Sequence, residues 1–324
     1  MAKINNIEIG LNAAVVAMVG SNPAILRASN PENMAVDALP YGQFDPTNHR
    51  TMEEGLRELA QAQTGLRLGY VEQLYTFGDR GRTPAMGEVS AHVVSVGYLA
   101  LTRLEDNPDG ETSSVAGWKS WYEYFPWEDW RVERPTILDE VIIPALVKWS
   151  KNLSKAEIAK HGLDPLSRIR IAFGMDGANW DDELVLDRYE LIYSAGLVQE
   201  AVADGRVSET VVPMMLGSTM QHDHRRILAT AIARLRGKLK YRPVIFELMP
   251  EVFTLTQLQQ TVESIFGRAV HKQNFRRLVE NAELVEQTGA SKHSTGGRPA
   301  ALFRFRSEIL KERPAPGLKV GRSS

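Results

Sequence analysis

The densest set of side chains able to do chemistry is Lys272-Gln273-Asn274-Phe275-Arg276-Arg277, with one ammonium, two amides and two guanidinium groups in six residues. Arg, Asn and Gln present paired donors and acceptors that match base edges, each good bidentate contact giving ~1–3 kcal/mol of discrimination. Lys292, His293 and Arg298 stand in a second cluster beside Gly296-Gly297, where they suit positioning on a phosphate backbone. Upstream, Arg80 and Arg82 flank Gly81, and Arg forks fit phosphate oxygens, with Phe77 or Tyr41 placed to wall a base. A surface loop with Asp79 paired to an Arg remains the alternative. Glu53, Glu54 and Glu58 offer hard oxygen ligands of the kind magnesium needs, or else a solvated acidic helix face. His222-Asp223-His224 lacks a third metal ligand in register, so Asp223 reads as a helix cap.

The elements that must hold these groups follow from periodicity. Thr254-Leu255-Thr256-Gln257 is a capping box, and Leu255, Leu258, Val262, Ile265 and Phe266 stripe the helix it starts until Gly267. Thr254 and Thr256 then join the candidate DNA contacts. The second helix, Val270–Asn281, turns Phe275, Leu278 and Val279 inward and its Lys, Gln and Arg side chains outward. Strands at Leu284–Thr288 and Ala301–Phe305 follow, joined by a Gly-rich loop. Two helices and a basic β-hairpin make a winged helix-turn-helix.

Before it, strands are expected within residues 6–29 and at Val93–Leu101, and a helix over Met52–Ala62. Residues 131–219 read as mainly helical: Ile137–Ser150 (interrupted by Pro144), Ser154–His161 and Trp180–Ala203, with a strand-like piece at Arg168–Phe173. His224–Leu239 is an amphipathic helix. The aromatic cluster from Trp118 to Trp130 has no interleaved cations, which favours core or a ligand wall over a base-stacking platform.

The 324 residues carry a net charge of −2, 43% hydrophobic residues and no cysteine. Thiol catalysis, disulfides and Cys-ligated metals are excluded. No apolar run approaches the ~20 residues of a membrane helix, and MAKINNIEIG lacks a signal-peptide layout, so a cytoplasmic protein without a membrane partner is expected. Charge is segregated: residues 251–324 hold twelve basic and seven acidic residues, and residues 1–250 hold 26 and 33. An acidic body with a basic end is the layout of a regulator that touches nucleic acid with one module.

Leu39 to Pro46, Arg57-Glu58-Leu59 and Thr64-Gly65-Leu66 resemble a Nudix box, in which Gly42, Arg57, Glu58, Leu59, Gly65 and Leu66 fit. Asn48, Gln61 and Ala62 replace its carboxylates, leaving Glu58 alone of the ligand set, so pyrophosphate hydrolysis is expected to be lost and the chain not to be an enzyme. With Gln73 to Arg82, Asp223-His224, Phe253 to Thr256, Asn274 to Arg277 and Gly297 to Ala300, the order of motifs resembles the Nudix-related transcriptional regulators of bacterial NAD metabolism, the NrtR-like family and its NadQ-like branch. The resemblance covers residues 1–130 and 220–306.

It implies an α+β fold, a Nudix-like α/β/α sandwich over residues 1–249 and a winged helix at 250–310; the mainly helical insertion at 131–219 is extra to the family pattern, and the composition of residues 311–324 reads as a disordered tail. It further implies a homodimeric repressor of NAD biosynthesis genes on a palindromic operator. No cofactor is required, and ATP, NAD or ADP-ribose serves as effector. A magnesium-dependent hydrolase of ADP-ribose-like substrates that also binds DNA is the alternative reading.

Overall fold

The computed structural model describes residues 7–30, 33–79, 92–104, 116–154, 158, 162–208, 216–292, 299–312 and 317–318. A mixed sheet runs in the order β3-β2-β1-β6-β5, with β4 on β1 and β7 on β2. Its strands are β1 (Ile7–Val19), β2 (Asn22–Asn30), β3 (Asn33–Ala38), β4 (Tyr41–Gln43), β5 (Tyr70–Phe77), β6 (His92–Leu101) and β7 (Ala116–Ser120). The β1–β6 pair is parallel from Ile7↔His92 to Val16↔Leu101, and the neighbouring pairs are antiparallel.

Alternation along these strands divides the core between two faces. Leu11, Ala13, Val15, Val96, Tyr98 and Ala100 pack with Leu56 and Leu66 on the side of α1 (Met52–Thr64). Ala14, Val16, Ile25, Leu99 and Leu101 pack on the opposite side, toward Ile227, Leu228, Ala231 and Leu235 of the later helix that covers it. The result is an α/β/α sandwich, and Trp121, Tyr124, Phe125 and Trp127 of the aromatic cluster lie fully inside its second core.

The insertion differs in detail from the sequence expectations. Arg168–Phe173 is not a strand but lies largely in α3 (Pro165–Ala172), because Asp164 accepts from the Ser167 N–H at 2.9 Å and Pro165 fits the first turn. Ile137–Ser150 begins with a π-turn, Leu138–Ile142, and continues as α2 (Ile143–Ser150), so Pro144 stands in the first turn of α2, where it is tolerated. The expected helix over Trp180–Ala203 is two, α4 (Val185–Ser194) and α5 (Gln199–Ala203). Gly196 separates them at φ +72, where a Cβ would meet Val207 at 2.6 Å. Most of Ser154–His161 lies outside the described residues.

Chain order continues with α6 (His224–Leu239), α7 (Leu255–Phe266), α8 (Lys272–Ala282), the hairpin β8 (Val285–Lys292) and β9 (Ala300–Phe305), and α9 (Ile309–Glu312). Asp223 occupies the position before α6, but its side chain makes no capping bond, which corrects the cap reading. Within the segment expected to be a disordered tail, Leu318 is buried and donates its N–H to Leu239 O at 3.0 Å, while residues 313–316 and 319–324 lie outside the described residues. Burial of one Leu side chain, worth ~1.5–3 kcal/mol, accounts for that docking.

Candidate nucleic-acid interface and effector face

The two helices of the C-terminal unit form where the sequence places them. Thr254 caps α7 by accepting from Gln257 N–H at 3.2 Å, and Gln257 Oε1 accepts from Thr254 N–H at 2.8 Å. The turn into α8 is stitched by Glu263, which accepts from Val270 N–H, and by Gln259, which donates to Val270 O, both at 2.8 Å. Phe275 and Val279 are buried beneath α8. Its outer face consequently exposes Lys272, Gln273, Asn274, Arg276 and Arg277 together.

Charge on this unit is of two kinds. Arg304 pairs with Glu286 at 2.6 Å, Arg306 faces Glu283 and Arg268 pairs with Asp182. Among the described residues, Lys272, Arg276, Arg277 and Lys292 have no ion-pair partner. Those four cations remain available to an external polyanion without breaking an internal contact. The hairpin runs in register from Val285↔Phe305 to Lys292↔Ala300 with a bulge between Gln287 and Ser291, and Phe253 forms an isolated antiparallel bridge to it by exchanging two bonds with Phe303.

In the sandwich, the candidate effector residues are less concentrated. Tyr41 is fixed by Gln63, which accepts from its N–H and donates to its carbonyl at 3.2 and 2.7 Å. The Tyr41 ring meets His224 edge-on, 4.8 Å between centroids. Phe77 is buried in the α6-side core with the Arg226 guanidinium over its ring, so as placed it serves packing. Glu58 is exposed on α1 and pairs with His49 at 2.9 Å. That contact first, and the Asp45 carbonyl at the other ring nitrogen, raise the His49 pKa. Arg57 bonds Glu53 and the carbonyls of Leu68 and Gly69, pinning the loop after α1. Among the described residues no three His, Asp or Glu side chains converge on a metal position. Arg80 and Arg82, like His293 and Arg298, lie outside the described residues.

Residues 245–305 match the family of the NrtR DNA-binding winged helix domain. The chain is NrtR-like in architecture. It is 39% identical over 108 residues to the ADP-ribose-responsive transcriptional repressor NtrR of Acinetobacter baylyi, a match that spans 33% of this chain and 43% of that relative's length. The fold resembles the NrtR of Shewanella oneidensis crystallised with a 27-mer DNA, with a TM-score of 0.55 at 18% identity over 94% of this chain and 95% of that one. A MutT/Nudix family protein from Enterococcus faecalis gives 0.52 at 14% identity, over 94% and 89%. These likenesses show a Nudix-like sandwich followed by a winged helix.

Within this NrtR-like frame the sequence assigned some residues and missed others. Thr254 has its hydroxyl and N–H engaged in the capping box, which sets it apart from the exposed Thr256. Arg226 was not singled out, yet it joins Asp79 and Glu190, at 2.5 Å each, while stacking on Phe77. Its only sequence signal is its place in the run Asp223-His224-Arg225-Arg226. Arg225 is buried, bonds Tyr124 O and Leu216 O, and supports the insertion from beneath.

Proposed function

We propose that this protein is a DNA-binding transcriptional repressor of NAD biosynthesis genes whose Nudix-like domain senses a nucleotide. The observation that carries the reading is α8, a recognition helix in an NrtR-type winged helix, with five exposed base- or phosphate-matching side chains, its cations without an ion-pair partner among the described residues. The protein acts as a homodimer, because two recognition helices one DNA turn apart (~34–36 Å) require a two-fold pair on a palindromic operator. Its place is the cytoplasm, with the DNA.

ADP-ribose is the favoured effector, since the curated relative is named for it, with ATP and NAD as the other nucleotides to be distinguished. Lys272, Gln273, Asn274, Arg276 and Arg277 read or grip DNA, and Lys292, His293 and Arg298 position the wing. Thr256 contacts the backbone. Arg80, Arg82 and Tyr41 face the effector. The box positions support a role without hydrolysis or required cofactor: Asn48, Gln61 and Ala62 stand where the Nudix pattern has carboxylates, and Glu58 alone of that set remains. Magnesium would need several such oxygens on one ion.

In vitro selection from random duplex DNA with the full-length protein tests this directly. Recovery of a palindromic duplex, with anisotropy-measured affinity altered by ADP-ribose, NAD or ATP, is the expected result. Failure to enrich any duplex, with magnesium-dependent release of AMP from ADP-ribose, would overturn it in favour of a hydrolase.

A further inference from the structure

The helical insertion meets the winged helix through a buried charge relay. Glu128, at the end of the aromatic segment, lies between two fully buried guanidinium groups. Its Oε1 accepts from Arg188 Nε at 2.6 Å, and its Oε2 accepts from Arg188 Nη2 at 3.0 Å and Arg236 Nη1 at 2.6 Å. Burial works against ionisation of Glu128, but Arg188 and Arg236 outweigh it and hold the carboxyl below the usual carboxylate range.

The two guanidinium groups share one carboxylate, with the buried Asp182 carboxyl also acting on Arg236, and their remaining donors are taken up by backbone carbonyls. Arg188, on insertion helix α4, donates to Ala172 O and Asp181 O at 2.9 Å and stacks on Trp180. Arg236, on α6, donates to Asp182 O at 3.1 Å and through Nε to Ile265 O at 2.8 Å. Ile265 lies in the last turn of α7, where carbonyls lack helical partners and the helix dipole is negative. Tyr122 OH donates to Ser264 O at 2.5 Å, and Trp130 N–H to Gly267 O at 2.6 Å. Three donors, two from the aromatic segment and one from α6, therefore cap one helix end of the winged domain. Gly267 sits at φ +71, where a Cβ would approach Glu128 O to 2.2 Å, so the contact is close on the backbone as well. Elsewhere α7 borders a cleft of about 380 Å³ lined by Gln257, Gln260 and Thr261 and by the β1–β2 turn.

We infer that the aromatic segment and α6, braced by the insertion through Arg188 and through the Asp182–Arg268 pair, form a clamp that sets the orientation of the winged helix, with Glu128, Arg188 and Arg236 as positioning residues for DNA binding. The inference rests on the regulator reading above for its consequence on DNA, though not for the contact itself. A buried ion triad contributes little net stability compared with apolar packing of the same volume. Its geometric effect is orientation: movement of α3 or α4 displaces Arg188, and with it Glu128, Arg236 and the end of α7.

Two variants test the clamp in the full-length protein. Tyr122→Phe removes one donor while keeping the ring. Glu128→Gln keeps the shape and removes the charge that gathers both guanidinium groups. The Trp130 amide reports the joint without DNA, because its partner is Gly267 O. Hydrogen exchange at Trp130 is expected to quicken by about three- to tenfold in Tyr122→Phe, the loss of one net hydrogen bond. Exchange in β1 and β6 stays slow. On the duplex selected by the wild type, affinity is expected to fall in both variants, with ADP-ribose binding unchanged.

Wild-type protection at Trp130 together with wild-type DNA affinity in Tyr122→Phe would overturn the clamp. If Glu128→Gln does not fold, Tyr122→Phe still decides. If the wild type selects no duplex, the regulator reading fails, and Trp130 exchange still reports on the clamp.

Discussion

The backbone N–H of Leu39 donates to Nδ1 of His224 at 3.1 Å, fastening the entrance of β4 to the first residue of α6 across the sandwich. His224 is buried, and the ring must be neutral, because a proton on Nδ1 would face the Leu39 N–H. Burial, with His222 close by, pushes the His224 pKa down to about 3.

That depression fixes the sign of a pH effect. The unfolded imidazole titrates near ~6.5, so between pH 6.5 and 3 the unfolded state binds a proton that the fold refuses. The His224 contribution is intact above pH 6.5 and is lost as pH falls, at up to ~1.4 kcal/mol per unit. Calorimetric melting of wild type and His224→Asn at pH 7.5 and 5.0 measures it. The Asn side chain retains an acceptor without titrating, so the variant should show a smaller drop in Tm. An equal drop in both proteins would place the acid sensitivity elsewhere.

On α8, Arg276→Ala and Arg277→Ala should each weaken binding to the selected duplex by ~1–3 kcal/mol. Arg304→Ala is the internal comparison, since its guanidinium is already held by Glu286. If the two α8 variants bind as well as wild type, α8 is not the reading helix.

Lys292 ends β8 and is exposed without an ion-pair partner among the described residues. Removing it should flatten the dependence of log affinity on log salt by ~0.9, one phosphate contact. Anisotropy titrations at several salt concentrations give the slope, and an unaltered value would count against wing–phosphate contact.

Thr254→Ala should act on stability and leave DNA contacts alone. Its hydroxyl caps α7, and loss of such a cap costs ~0.5–2 kcal/mol. Well below the melting transition, operator affinity should stay near wild type. A tenfold loss there would return Thr254 to the interface.

Local patterns carried much of the fold. The capping box at Thr254, the stripe Leu258-Val262-Ile265 and the outward Lys272-Gln273-Arg276-Arg277 face are decided within a few residues of chain, by hydrogen bonds and helical period, and the structure reproduces them. The insertion was harder. Arg168–Phe173 reads like a strand because Ile and Arg alternate, yet the Asp164 cap and burial of Ile169 and Ala172 make it helical. Gly196 ends α4 for want of space beside Val207, a tertiary neighbour that no local pattern announces.

By itself, the sequence determined an acidic sandwich and a basic winged helix, because charge content, alternation and caps are properties of neighbouring residues. Tertiary structure decided which charges are available. Arg268, Arg304 and Arg306 meet acidic partners, while Arg276 and Arg277 meet none among the described residues. It also decided that Glu128, Arg188 and Arg236, separated by 60 and 108 residues of chain from that Glu, meet at the end of α7. Contacts over such separations depend on how the elements pack, and in a low-dielectric interior that packing alone determines which charge finds a partner.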